Sequence, residues 1–95
     1  MRVKQMAFIH RLRPIVLEQI PDAQYISSDI VVDRKPGRFL GFDIGNGVRI
    51  GVYSERNSNT ARIITRGTLE EDNDEMLAKA EIVMRELQNM GFSGR

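Results

Sequence analysis

The only histidine of the chain, His10, stands between Ile9 and Arg11. A histidine does acid–base work when a carboxylate, hydroxyl or thiol is held within hydrogen-bond reach. On a helix that partner would sit three or four residues away, where this chain has Met6, Ala7, Arg13 and Pro14. No local dyad forms. The hydroxyl groups of Ser27, Ser28, Ser54, Ser58, Thr60 and Thr68 fall at strand ends, loops or a capping position, and none lies in the strand–turn–helix pattern that raises a nucleophilic serine. Asp29 and Asp33 are four apart, a spacing that on a strand puts both on one face rather than around an ion. The absence of cysteine excludes disulfides, thiolate zinc sites and cysteine nucleophiles. These residues predict no catalytic site, no metal and no cofactor.

What remains is recognition chemistry. Arg outnumbers Lys, 11 to 3, and guanidinium groups beside aromatic rings are the side chains that most often anchor partners. Where these residues fall together depends on the elements that carry them.

Arg38 to Ser54 reads as two alternating runs around Gly45-Asn46-Gly47, a hairpin. A two-residue Asn-Gly loop would set apolar side chains opposite polar ones. A three-residue loop pairs Ile44 with Val48, Phe42 with Ile50 and Leu40 with Val52 on one face; Asp43 then meets Arg49 and Phe39 meets Tyr53 on the other, with Gly41 opposite Gly51. Tyr25 to Asp33 supplies a strand before it, turned by Arg34-Lys35-Pro36-Gly37. Thr60 to Arg66 supplies a fourth, with Arg62, Ile64 and Arg66 on the side of Phe39, after a polar loop from Ser54 to Asn59. A helix precedes the strands, with Met6, Ile9, Leu12, Val16 and Ile20 at helical spacing and Pro14 inside it. A second follows: Met76, Leu77, Ala80, Val83, Met84, Leu87 and Met90 form one apolar stripe, Asp72 or Asn73 caps its start, and Gly91 with Phe92 suits a Schellman end.

The predicted fold is therefore α+β, a four-stranded antiparallel meander between an N-terminal and a C-terminal helix. Ninety-five residues make one domain, 1–95, with 93–95 as a frayed tail. Both helices should cover the face of Leu40, Phe42, Ile44, Val48, Ile50 and Val52 and leave the other open. On that open face Phe39, Arg49, Tyr53, Arg62 and Arg66 are the expected partner-binding residues, with Gly41 and Gly51 leaving a depression between them. The expected function is a non-enzymatic protein-binding module, a small inhibitor or adaptor of the kind viruses and mobile elements carry. A second copy of the chain, forming a homodimer, and the N-terminal segment are the alternative occupants of the open face.

Nucleic-acid binding through the same face is the second reading, with Arg34, Lys35 and Arg38 meeting phosphates. The mildly basic first 38 residues (Arg2, Lys4, Arg11, Arg13 and those three, against Glu18, Asp22, Asp29 and Asp33) favour it, whereas a net charge of only +1 does not. Leu40-Gly41-Phe42-Asp43-Ile44-Gly45-Asn46-Gly47 resembles the first phosphate-binding hairpin of the actin-like ATPases. The likeness spans eight residues of a chain too short for their two lobes, and a hairpin turn explains the same glycines. The helix–strands–helix order is similar to that of the double-stranded-RNA-binding domain. That family places lysines at the start of its last helix, whereas this chain has Glu70, Glu71, Asp72, Asp74 and Glu75 there, which repel phosphate and suit the positive helix end. None of either family's binding residues carries over. Arg, His and Pro interrupt the apolar N-terminal runs, so neither a signal peptide nor a membrane span is expected, and the lack of cysteine fits the cytoplasm.

Overall fold

The two apolar stripes form helices, and both lie on one side of the sheet. The computed structural model describes residues 3–58, 60–70 and 72–94, with side chains from residue 7 onward. Arg2, Asn59, Glu71 and Arg95 fall outside what it describes, as do the side chains of Lys4 and Met6. Helix α1 (Val3–Gln19) leads into strands β1 (Gln24–Val32), β2 (Lys35–Gly45), β3 (Val48–Glu55) and β4 (Ala61–Arg66), and helix α2 (Asp74–Asn89) follows. The strands pair as an antiparallel meander in the order β1-β2-β3-β4. This is the α+β architecture expected from the residue pattern.

The core forms between the helices and the sheet face that alternation assigned to them. Phe8, Ile9, Leu12, Val16 and Ile20 of α1 and its end, and Met76, Ala80, Val83 and Leu87 of α2, are buried with Leu40, Phe42, Ile44, Val48, Ile50, Val52 and Ile63. Each of these side chains larger than alanine contributes roughly 1.5–3 kcal/mol on removal from water, before the entropy of ordering it is subtracted. Pro14 lies within α1, where it has no N–H for the preceding turn, and the stripe of Leu12, Val16 and Ile20 holds the helix through it. At α2 the cap is Asn73, whose Oδ1 accepts from the Met76 N–H at 3.1 Å. At its end Gly91 takes φ +97°, and the N–H groups of Gly91 and Phe92 donate to the carbonyls of Gln88 and Leu87 at 2.9 and 3.1 Å. This Schellman motif aims Phe92 at α1, where it meets Phe8 edge-on with centroids 4.8 Å apart.

Both hairpins differ in detail from the sequence reading. Asn46 and Gly47 alone form the β2–β3 turn, both at positive φ (54° and 74°) as a type I′ turn requires. Gly45 rather than Ile44 faces Val48, and Ile44 is the extra residue of a β-bulge. The Gly45 N–H donates to the Asp43 carboxylate at 2.9 Å, which holds the bulge. The bulge restores the pairing of Asp43 with Arg49, Phe42 with Ile50 and Phe39 with Tyr53, so two-residue turn and sensible register coexist.

The β1–β2 turn is not at Pro36-Gly37. Val32 faces Lys35, and the turn is Asp33-Arg34, at φ 51° and 67°. Pro36 and Gly37 belong to β2. Pro36 tolerates that place because β3 has ended opposite it; its carbonyl accepts from the Arg56 N–H at 2.9 Å and its missing donor costs no bond. Arg34 is thus a side-chain-bearing residue held left-handed, at roughly 1–2 kcal/mol. Glycine removes that strain but loses roughly 0.5–1 kcal/mol more backbone entropy on folding. Arg34→Gly is therefore expected to raise stability by about 0.5–1 kcal/mol, a few degrees of Tm by calorimetry. An unchanged or lower Tm would place the turn elsewhere.

Ser93, expected to fray, instead bridges Arg62 in parallel: the Ile63 N–H donates to the Ser93 carbonyl at 2.6 Å. The C-terminal tail thereby covers part of the outer edge of β4. Among the described residues no helix is long and apolar enough to cross a membrane.

Candidate partner-binding edge

The register brings the expected binding residues together on the sheet face away from the helices. Phe39, Tyr53 and Arg62 form one cross-strand row, and Asp43, Arg49 and Arg66 another, with Gly41, Gly51 and Ile64 between them. Their accessibility is not the expected one. Phe39 is 1% exposed and Tyr53 4%, so neither ring presents a surface to a partner.

The glycines explain this burial. A Cβ built on Gly41 would lie 2.3 Å from the Ile50 carbonyl oxygen and 2.6 Å from the Gly51 Cα, and one on Gly51 would meet the Leu40 carbonyl at 2.3 Å. The two strands approach more closely than side chains permit, and the sheet curls over its open face. In a flat sheet β1 and β4 would stand about 14 Å apart, three strand spacings. Here the Asp33 carboxylate, just past the end of β1, reaches within 3.8 Å of the Arg62 guanidinium on β4. The β1–β2 hairpin thus folds across Phe39 and Tyr53. The place of a Gly37 Cβ is taken by the Tyr53 ring, 2.4 Å away, and the Tyr53 hydroxyl donates to the Lys35 carbonyl at 2.7 Å. The intended binding face has become a second small core.

The cations of this face are largely committed. Arg49 faces Asp43 at 3.6 Å, and Arg62 lies over the Tyr53 ring at 5.7 Å besides meeting Asp33. Arg66 is exposed opposite Arg49. Of the residues assigned to phosphate contact, Arg38 donates to Asp29 at 3.0 Å and to Ser27 at 2.7 Å, while Arg34 and Lys35 are exposed at the hairpin tip. The two aspartates considered together by spacing are apart: Asp29 pairs with Arg38 and Asp33 with Arg62. His10 is exposed and lines a crevice with Ile9, Arg13 and Tyr25. Among the described residues no three His, Asp or Glu side chains group as metal ligands.

Burial raises the Tyr53 hydroxyl above its ordinary pKa of 10.0, and Glu55 and Asp33 add to the rise while Arg62 opposes it. A raised folded-state pKa means that the native protein holds this proton longer than the unfolded chain, so the stabilisation is complete below pH 10.0 and is lost as pH rises beyond it. Urea unfolding across the alkaline range is expected to show that decline. In Tyr53→Phe the decline should be shallower, and equal slopes in the two proteins would mean that Tyr53 titrates as it does in water.

The accessible apolar surface lies elsewhere, at the edge strand β1. Tyr25, 37% exposed, and Val31, 59% exposed, are the exposed large hydrophobics of the described chain. Both lie on the helix-bearing side of the sheet, Tyr25 beside α1 and Val31 at the other end of the strand. Tyr25 packs edge-on against Phe42 at 6.2 Å, with the Arg13 guanidinium 5.7 Å from its ring centre. The two-residue turn makes Val32 and Lys35 the closing hydrogen-bonded pair, so alternation directs the N–H and C=O groups of Ile30, Ser28 and Ile26 to β2. Those of Tyr25, Ser27, Asp29 and Val31 point outward, and among the described residues nothing pairs with them. Sequence reasoning passed over this strand because alternation reports which face is buried, not which strand is left at an edge.

The site therefore belongs to a two-layer α+β domain with one open, nine-residue edge strand. No protein-family model, no curated protein and no solved structure matches the chain.

Proposed function

We propose that this chain is a non-enzymatic protein-binding module, an inhibitor or adaptor, that takes a partner strand along the open edge of β1. The observation that carries this reading is the edge itself: nine residues long, with four outward pairs of backbone groups flanked by exposed Tyr25 and Val31. Sheet edges of this length are ordinarily blunted by charged side chains, proline or a bulge. β1 has no lysine, proline or bulge, and its one charge, Asp29, is paired with Arg38 of the neighbouring strand, while the other edge is capped at Ser93. Backbone hydrogen bonds would supply affinity and the alternate side chains selectivity. Its cysteine-free composition fits the reducing cytoplasm. Nucleic-acid binding is the weaker reading, because the stacking rings are buried and Arg38, Arg49 and Arg62 are paired.

Ser27→Pro tests the reading. Its proline falls where the N–H points outward, so the β1–β2 ladder keeps every bond and Tm should stay within a few degrees of the wild type. A protein partner retained by the immobilised wild-type chain should be lost from this variant. Full retention by the folded variant would remove β1 as the binding edge.

A further inference from the structure

Resting on the strand-addition reading, we propose that the occupant of the β1 edge is β1 of a second copy of this chain, antiparallel to the first and centred on Ser28. The strand Gln-Tyr-Ile-Ser-Ser-Asp-Ile-Val-Val reads in nearly the same residue classes from both ends. Centred on Ser28, a two-fold axis sets Tyr25 opposite Val31, Ile26 opposite Ile30, Ser27 opposite Asp29 and Ser28 opposite itself. Every outward-pointing residue then meets another: Tyr25 exchanges two hydrogen bonds with Val31 of the second copy, and Ser27 two with Asp29, so no outward group between Tyr25 and Val31 is left unpaired.

The same register disposes of the exposed apolar surface. Tyr25 and Val31 lie on one face, an aromatic against a β-branched side chain, and the two-fold axis makes that contact twice. Ile26 and Ile30, half-buried on the concave face, meet their counterparts and extend the second core. Neighbouring registers fail on charge or coverage. Centring on Asp29 sets two carboxylates directly opposite; centring on Ser27 sets Tyr25 against Asp29 and leaves Val31 opposite the buried Ala23. In the Ser28 register Asp29 faces a serine hydroxyl, and its charge is already compensated by Arg38 at 3.0 Å.

Helix α1 lies beside Tyr25, with Arg13 over its ring, whereas Val31 at the other end of the strand is 59% exposed, so the axis brings α1 of each copy alongside the exposed Val31 of the other. The crevice of about 110 Å³ between Ile9, His10, Arg13 and Tyr25 stands beside the position that Val31 of the second copy takes.

Sedimentation equilibrium of the full chain from low micromolar to near-millimolar concentration should show the mass rising from 10.9 kDa towards twice that value. Val31→Asp should hold it at the monomer mass with Tm unchanged, since Val31 is exposed. Ser28→Cys, in a chain with no other cysteine, should oxidise to a disulfide-linked dimer at least about tenfold faster than Asn57→Cys in an exposed loop, because pairing raises the local thiol concentration. A wild-type chain that stays monomeric throughout overturns self-pairing, and the Ser27→Pro capture experiment then judges strand addition by itself. A dimer indifferent to Val31→Asp, or equal oxidation at residues 28 and 57, also overturns it.

Discussion

Phe39→Ala is expected to destabilise the protein by about 3–5 kcal/mol, the range for emptying a fully buried phenylalanine site. The expectation discriminates between two descriptions of one side chain. As a surface anchor on an open sheet face, Phe39 would leave stability within about 0.5 kcal/mol when truncated, and its loss would show only in partner binding. As observed, the ring is 1% exposed, opposite Tyr53 and beneath the curled hairpin, with no helix above it. Removing it empties space that only the β1–β2 hairpin can refill. Partial collapse of that hairpin sets where in the range the loss falls. For a domain of this size the fall in Tm is about 15–25 °C. Urea denaturation read at the far-ultraviolet helix signal measures it, and a change below about 1 kcal/mol would return Phe39 to the surface.

The elements and their order were legible because each rests on a local pattern: helical spacing in Met76 to Leu87, alternation in Leu40 to Ile44 and Val48 to Val52, and the cap and Schellman residues Asn73, Gly91 and Phe92. The β2–β3 register was legible apart from the bulge at Ile44, because a slip by one residue would have put Phe42 and Ile50 on opposite faces. The place of the first turn was not. Pro36-Gly37 carries the stronger turn signal, and it lost to Asp33-Arg34 through two non-local facts: β3 ends opposite Pro36, and the Tyr53 ring occupies the site of a Gly37 Cβ. The candidate site failed for a related reason. Alternation correctly put Phe39, Arg49, Tyr53, Arg62 and Arg66 on the face without helices, but whether such a face is open depends on curvature, and curvature here comes from glycines paired across strands. Gly41 opposite Gly51 read as a depression for a partner's side chain; the space is instead used by the two backbones.

That curvature makes Gly41→Val the second large effect, expected to cost about 3 kcal/mol or more. On strand statistics the sign should be the reverse, since valine is among the best strand formers and glycine among the worst, a difference of roughly 1 kcal/mol in favour of the variant. The geometry overrides that preference. The first carbon added at Gly41 would stand 2.3 Å from the Ile50 oxygen, 2.6 Å from the Gly51 Cα and 2.9 Å from the Ile50 carbonyl carbon, all of them backbone atoms that no rotamer change can move aside. The strands must separate, which flattens the sheet and uncovers Phe39 and Tyr53. Gly94→Ala, where a Cβ meets nothing within 4 Å, is the control and should be silent within about 0.5 kcal/mol. Alanine at both positions 41 and 51 should cost less than the sum of the single changes, because the first separation makes room for the second methyl group. A stabilising Gly41→Val, or additive alanines, would mean that the two strands do not meet through their glycines. The burial of Phe39 and Tyr53 would then need another cause.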